Sequence, residues 1–193
     1  MDIARAKRRE NIAEYILYLW QLEDLLRALQ FSPEAIYSQL VQPRQLPPDR
    51  QQELLMWYME LTNLLREEGK ETSGHLDHTL HLIDDLHNLH LQLMESPAGE
   101  RYRQLYGIMA AELPKLRILL GKSKNVDATQ ITDTELAFRA LYAAMLYKIK
   151  DGDKADKTFA DVTEIVSPVI AELAKIFKLV EKGELDIFSN PDE

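Results

Sequence analysis

The residues with the richest chemistry in this chain stand together. The stretch HLDHTLHLIDDLHNLH, from His75 to His90, holds all five histidines of the 193-residue sequence, with Asp77, Asp84 and Asp85 among them. At about 100° per residue, Asp77, His78, His81, Asp84, Asp85 and Asn88 share one arc of a helix. Leu76, Leu80, Ile83, Leu86 and Met94 fall on the other side, and His87 and His90 lean toward it. His78 and His81 are one turn apart, as are His81 and Asp85, so that imidazole nitrogen and carboxylate oxygen can converge on a divalent ion. Glu10, Glu14 or Glu60 from neighbouring helices would complete such a site, with metal-bound water as the reactive species.

The same composition describes a solvated helix face, and metal sites in helical bundles draw their ligands from several helices. Glu-x-x-His, HExxH and a His-Asp dipeptide are absent from the sequence, as are GxSxG, a P-loop and GxGxxG. No cofactor is therefore predicted; a divalent ion at His78, His81 and Asp85 is the one alternative. Without metal, five clustered imidazoles would repel one another below about pH 6.5, with the aspartates offsetting part of the charge.

The elements that must position these residues read as helices. Ile12, Tyr15, Ile16, Leu19, Leu22, Leu26 and Leu29 recur at three- and four-residue steps and predict a helix from about Ala6 to Gln30. Glu23 falls inside its apolar arc and, if buried, requires a partner from another helix. Ser32-Pro33-Glu34 starts a short helix to about Val41, QPRQLPP is a rigid connector, and Asp49 to Glu68 is helical with Gly69 at its end. Trp20 and Trp57 sit on core helices; with Tyr102 and Tyr106 they would line an internal ligand pocket, although filling a core is the commoner use of such rings.

After the histidine helix, Ser96-Pro97 opens a helix that keeps its period through Gly121, with Pro114 inside it and a kink expected near residues 110 to 114. KSKNVDATQI reads as a mobile loop, Thr132 with Glu135 as a capping box, and DGDKAD as a solvated turn. The last helix carries Val162, Val166, Val169, Leu173, Ile176 and Val180 at alternating four and three steps. That heptad seam either packs within its own bundle or joins two copies of the chain.

Composition narrows the function classes. A net charge of -9 and a pI near 5.1 disfavour nucleic-acid binding, which needs a basic face. The one basic cluster, Arg5, Lys7, Arg8 and Arg9, reads as a loose terminus rather than an anionic-lipid arm. The absence of cysteine removes disulfides, thiolate metal sites and a cysteine nucleophile, and fits a reducing cytoplasm. Glu14 interrupts the first apolar run, so no signal peptide is expected, and no run approaches the about twenty apolar residues of a membrane span.

The opening ENIAEYILYLWQLEDLLRA and the closing KGELDIF resemble a family of uncharacterised helical proteins of Bacteroidetes, a domain of unknown function. The resemblance covers the whole chain and implies a bacterial origin and an all-helical fold; it transfers no site residues. Together these readings predict an all-α, single-domain bundle of six or seven helices over residues 1–193, with a basic lead at 1–9, a proline-rich connector at 42–48, a mobile loop at 121–131 and an irregular tail at 183–193. The predicted function is a non-enzymatic structural or protein-interaction module of the cytoplasm. A metal-dependent hydrolase at the His/Asp cluster and a small-ligand binder with an aromatic pocket stand as alternatives.

Overall fold

The computed structural model describes residues 2–121, 129–151 and 157–187. These residues are helical without strands, as the apolar periodicity predicts. They form eight α-helices: α1 Asp2–Glu10, α2 Ile12–Ala28, α3 Pro33–Ile36, α4 Pro48–Glu67, α5 Asp77–Glu95, α6 Glu100–Gly121, α7 Asp133–Asp151 and α8 Lys157–Glu181. The number exceeds the six or seven expected because Asn11 divides the first predicted helix. Its Oδ1 accepts the Ala13 N–H at 3.0 Å, so a capping residue restarts the helix where the periodicity alone runs on. The basic lead is correspondingly helical from Asp2, and Lys7 pairs with Glu14 at 2.7 Å.

The chain divides into two compact units, one of residues 1–9 and 14–80 and one of residues 10–13 and 81–193. In the first, Leu19, Leu22, Leu26, Ile36, Val41, Leu54, Tyr58, Leu61, Leu65 and Leu76 form a buried cluster. Each such side chain supplies roughly 1.5–3 kcal/mol on burial. Ser32 caps α3 by accepting the Ala35 N–H, with Pro33 in the first turn as predicted. The chain then passes through a π-turn at Tyr37–Val41 and a 3-10 turn at Gln42–Arg44 before Pro48 opens α4.

In the second unit α6, α7 and α8 pack pairwise. The small residues Ala137, Ala140 and Ala144 are buried on α7, and the α8 seam residues Val162, Val166, Val169, Leu173 and Ile176 are buried with them. That seam is therefore covered within the chain itself. Both α6 and α8 continue through their prolines, Pro114 and Pro168. Thr132 Oγ1 accepts the Glu135 N–H at 3.2 Å, one half of the predicted capping box; the Glu135 carboxylate goes to Arg139 at 2.7 Å. Of the predicted mobile loop, residues 122–128 lie outside the described residues, as do 152–156 of the acidic turn and 188–193 of the predicted tail. The described start of that tail is anchored, since Ser96 Oγ donates to the Ile187 carbonyl at 3.0 Å. No described helix is long and apolar enough to cross a membrane.

Candidate functional site

The first chemical cluster is built from α2 and the N-terminal end of α5. Trp20 and Glu23, three residues apart, present to one face of α2, and Gly74, with φ +86°, turns the chain so that His75 arrives beside them. Glu23 is 1% exposed. Its Oε2 lies 2.8 Å from His75 Nδ1, and its Oε1 accepts the Leu76 N–H at 3.2 Å. The buried carboxyl thus receives the partner from another helix that its position requires, and it caps α5 from a distance in sequence. The Trp20 indole stacks on the His75 ring at 3.8 Å and 9°, while its Nε1 donates to Thr79 Oγ1 at 2.9 Å. One turn on, Arg27 donates to the carbonyls of Lys70 and Gly74 and pairs with Asp24. Burial pushes the Glu23 carboxyl up to about 8, against the pull of the Leu76 N–H and the Arg27 charge.

The second cluster joins α5 to α6 and α7. His90 Nδ1 lies 2.8 Å from the Tyr102 hydroxyl, and His87 Nδ1 lies 3.1 Å from Thr134 Oγ1. The two imidazoles stack 5.4 Å apart, and the Tyr106 ring covers His90 at 4.6 Å. Tyr106 donates to Asp133 Oδ2 at 2.8 Å; Arg117 holds the other oxygen at 2.6 Å and also reaches the Ile131 carbonyl. Burial, with the His87 ring beside it, holds His90 below its ordinary value, while Asp133 pulls it back up. Burial raises both tyrosines, Tyr106 to about 12.

Chemically, each cluster pairs proton donors with acceptors across helices, and each buries its central pair, Glu23 with His75 and His90 with Tyr102. They act as hydrogen-bonded clamps. The predicted metal ligands are placed otherwise. His81, Asp85, Glu10 and Glu60 are exposed, Glu14 is engaged with Lys7, and the His78 ring lies 6.5 Å from Tyr15. Among the described residues no three His, Asp or Glu side chains converge to hold a metal ion. The four pocket aromatics are divided between the units: Trp20 on His75 and Trp57 against Tyr58 at 5.2 Å in the first, Tyr102 and Tyr106 around His90 in the second.

Two surface depressions bring charged and apolar side chains together. In the first unit, Asp2, Ile3, Arg44, Leu46, Arg50, Glu53 and Leu54 line a pocket of about 190 Å³. In the second, a groove of about 270 Å³ runs between α6 and α8 beside Leu116, Ile118, Leu119, Val162 and Ile165. Sequence reasoning missed the first of these, because Arg44 and Arg50 sit in and beyond a proline-rich connector with no motif. It also missed the Asp133 and Arg117 pair; the spacing of Tyr102 from Tyr106 and of His87 from His90 on adjacent helices was the available signal. No curated protein and no solved structure matches the chain. A family model described as a domain of unknown function (DUF4924) matches residues 1–184, and the chain belongs to that family.

Proposed function

We propose that the chain is a non-catalytic protein-interaction module whose α6–α8 groove takes a short amphipathic helix with basic residues along its edge. Ile118 carries the reading. It is 66% exposed although it stands on a groove walled by Leu119, Val162 and Ile165. Covering an isoleucine from water contributes roughly 1.5–3 kcal/mol, so a partner helix laid along the groove would gain what folding leaves unused here. The rim sets the sign of the partner. Lys115 is neutralised by Glu112 at 2.7 Å, whereas Asp161 has no ion-pair partner among the described residues. A net charge of -9 disfavours a second copy and favours a basic segment. The burial of Glu23, His75, His90 and Tyr102 in clamps supports binding over acid–base catalysis, which needs groups that reach a substrate.

Placing p-benzoylphenylalanine at position 118 in living cells and crosslinking with light tests this. The expected result is one defined adduct whose crosslinked segment is an amphipathic helix flanked by Lys or Arg, lost when Asp161→Lys is added. Adducts equal to those obtained from position 56, where Met56 is 56% exposed in the first unit, would overturn it, and so would crosslinks to a second copy alone.

A further inference from the structure

We infer that the first unit carries a binding site for a small carboxylate with a short apolar chain, in the pocket between the start of α1, the Gln42–Arg44 turn and α4. The turn positions the key group. Gln45 adopts a left-handed φ of +51°, and its N–H closes the turn on the Gln42 carbonyl at 3.1 Å. This folds Arg44 back so that Nε donates to the Leu40 carbonyl at 3.1 Å and Nη2 to the Tyr58 hydroxyl at 3.2 Å. Two bonds on one edge fix the guanidinium plane and leave Nη1 without a hydrogen bond among the described residues.

The pocket's other three charges form one network, with a single cation between two carboxylates. Arg50 pairs with Glu53 at 2.7 Å and with Asp2. That network carries a net charge of -1, while Arg44, the pocket's other cation, has no carboxylate partner among the described residues. A pre-oriented guanidinium with a free N–H edge recognises a carboxylate, with a charge-assisted bond stronger than a neutral one. Ile3, Leu46 and Leu54 supply the apolar wall on which a short alkyl chain would lie. At about 190 Å³ the pocket is smaller than the roughly 300–1,000 Å³ of sites for drug-sized molecules, which limits the ligand to a few carbon atoms. The protein's overall charge of -9 repels anions in general, so a carboxylate retained here is retained by this site.

Titration of the full ¹⁵N-labelled chain with butyrate, n-butanol, butyramide and n-butylamine, followed through the amides of residues 44 to 46 and 49 to 54, tests the inference. Butyrate is expected to give saturable shifts with a Kd in the low millimolar range, about -4 kcal/mol on the 1 M scale. Arg44→Gln is expected to weaken it about fivefold or more, the loss of one charge-assisted bond, and the remote Lys175→Gln to leave it unchanged. Should Arg44→Gln fail to fold, the contrast of butyrate with its neutral isostere butyramide on the unaltered chain decides the same point. No saturable shift by about 50 mM butyrate, far above the expected Kd, would overturn the site. So would equal responses to butyrate and butyramide, or undiminished binding to a folded Arg44→Gln chain.

Discussion

Replacing Glu23 with Gln removes a titrating carboxyl while keeping its shape, and so isolates the free energy stored in the buried Glu23–His75 pair. Burial raises this carboxyl from an ordinary 4.5 to about 8. Between those values the folded protein holds one proton more than the unfolded chain, so stability is full below about pH 4.5 and is lost as pH rises through 8. One proton corresponds to ~1.4 kcal/mol per pH unit, or ~5 kcal/mol over the whole window as an upper figure. The assay is urea unfolding at about pH 5 to 9, read by tryptophan fluorescence. Both tryptophans, Trp20 and Trp57, belong to the first unit, so the signal follows the unit that contains Glu23. Subtracting the Glu23→Gln curve cancels every titration that does not depend on Glu23, so that the difference reports the Glu23–His75 pair. The difference is expected to fall by ~1.4 kcal/mol per pH unit up to about pH 8 and to level beyond it. A difference that stays flat to within ~0.5 kcal/mol across the range would refute the account of a buried carboxyl held in its protonated form.

Four further substitutions have outcomes set by their local surroundings. Tyr102→Phe leaves His90 Nδ1 without its buried partner and is expected to cost ~1–2 kcal/mol in chemical unfolding followed by circular dichroism. Gly99→Ala is expected to be among the most damaging single changes, at ~3 kcal/mol, because the added Cβ would lie 1.9 Å from the Leu93 carbonyl oxygen beneath it. Gly107→Ala meets nothing within 4 Å on the exposed face of α6 and should instead stabilise by ~0.4–1 kcal/mol; equal Tm shifts for the two glycines would contradict the geometry. Asn11→Ala removes the cap that restarts α2 and is expected to cost ~1 kcal/mol, measured as a lower urea midpoint at unchanged slope.

The helices were legible in the sequence because each keeps an apolar stripe over several turns, and Ser32, Ser96 and Thr132 mark starts with side chains that do cap. Asn11 was not legible as a break, because the apolar period of the following residues extends without change from a polar lead that itself favours helix. Glu23 could be recognised as a carboxyl needing a partner, since its place in an apolar arc is a local fact. That His75 is the partner could not be read, because it depends on the turn at Gly74 and on which helix α2 faces. The division of the histidines is also a local fact: His90 is buried and His81 exposed, as the helical projection implies. Convergence of His78, His81 and Asp85 with a carboxylate from another helix was a tertiary condition, beyond the reach of helical spacing.

Both clamps use histidines of one sixteen-residue stretch, yet their pH responses have opposite sign. The Glu23–His75 clamp stabilises the first unit in acid and weakens as pH rises. At His90, the folded imidazole is held below its ordinary 6.5 by burial and by His87 beside it, with Tyr102 and Tyr106 facing it from α6 and Asp133 from α7. The unfolded chain therefore binds the proton more readily, and the second unit loses stability as pH falls below about 6.5. Acidification from about pH 7.5 to 5.5 should accordingly favour the first unit and weaken the second. Hydrogen exchange resolved by residue separates them: amides around Leu86 and Phe138 are expected to lose protection in acid while those around Leu22 and Tyr58 hold or gain it. His90→Asn should remove most of the loss in the second unit and leave the first untouched. Loss of protection in both units together, or in neither, would show that the two histidine clamps do not set the stabilities of the units that contain them.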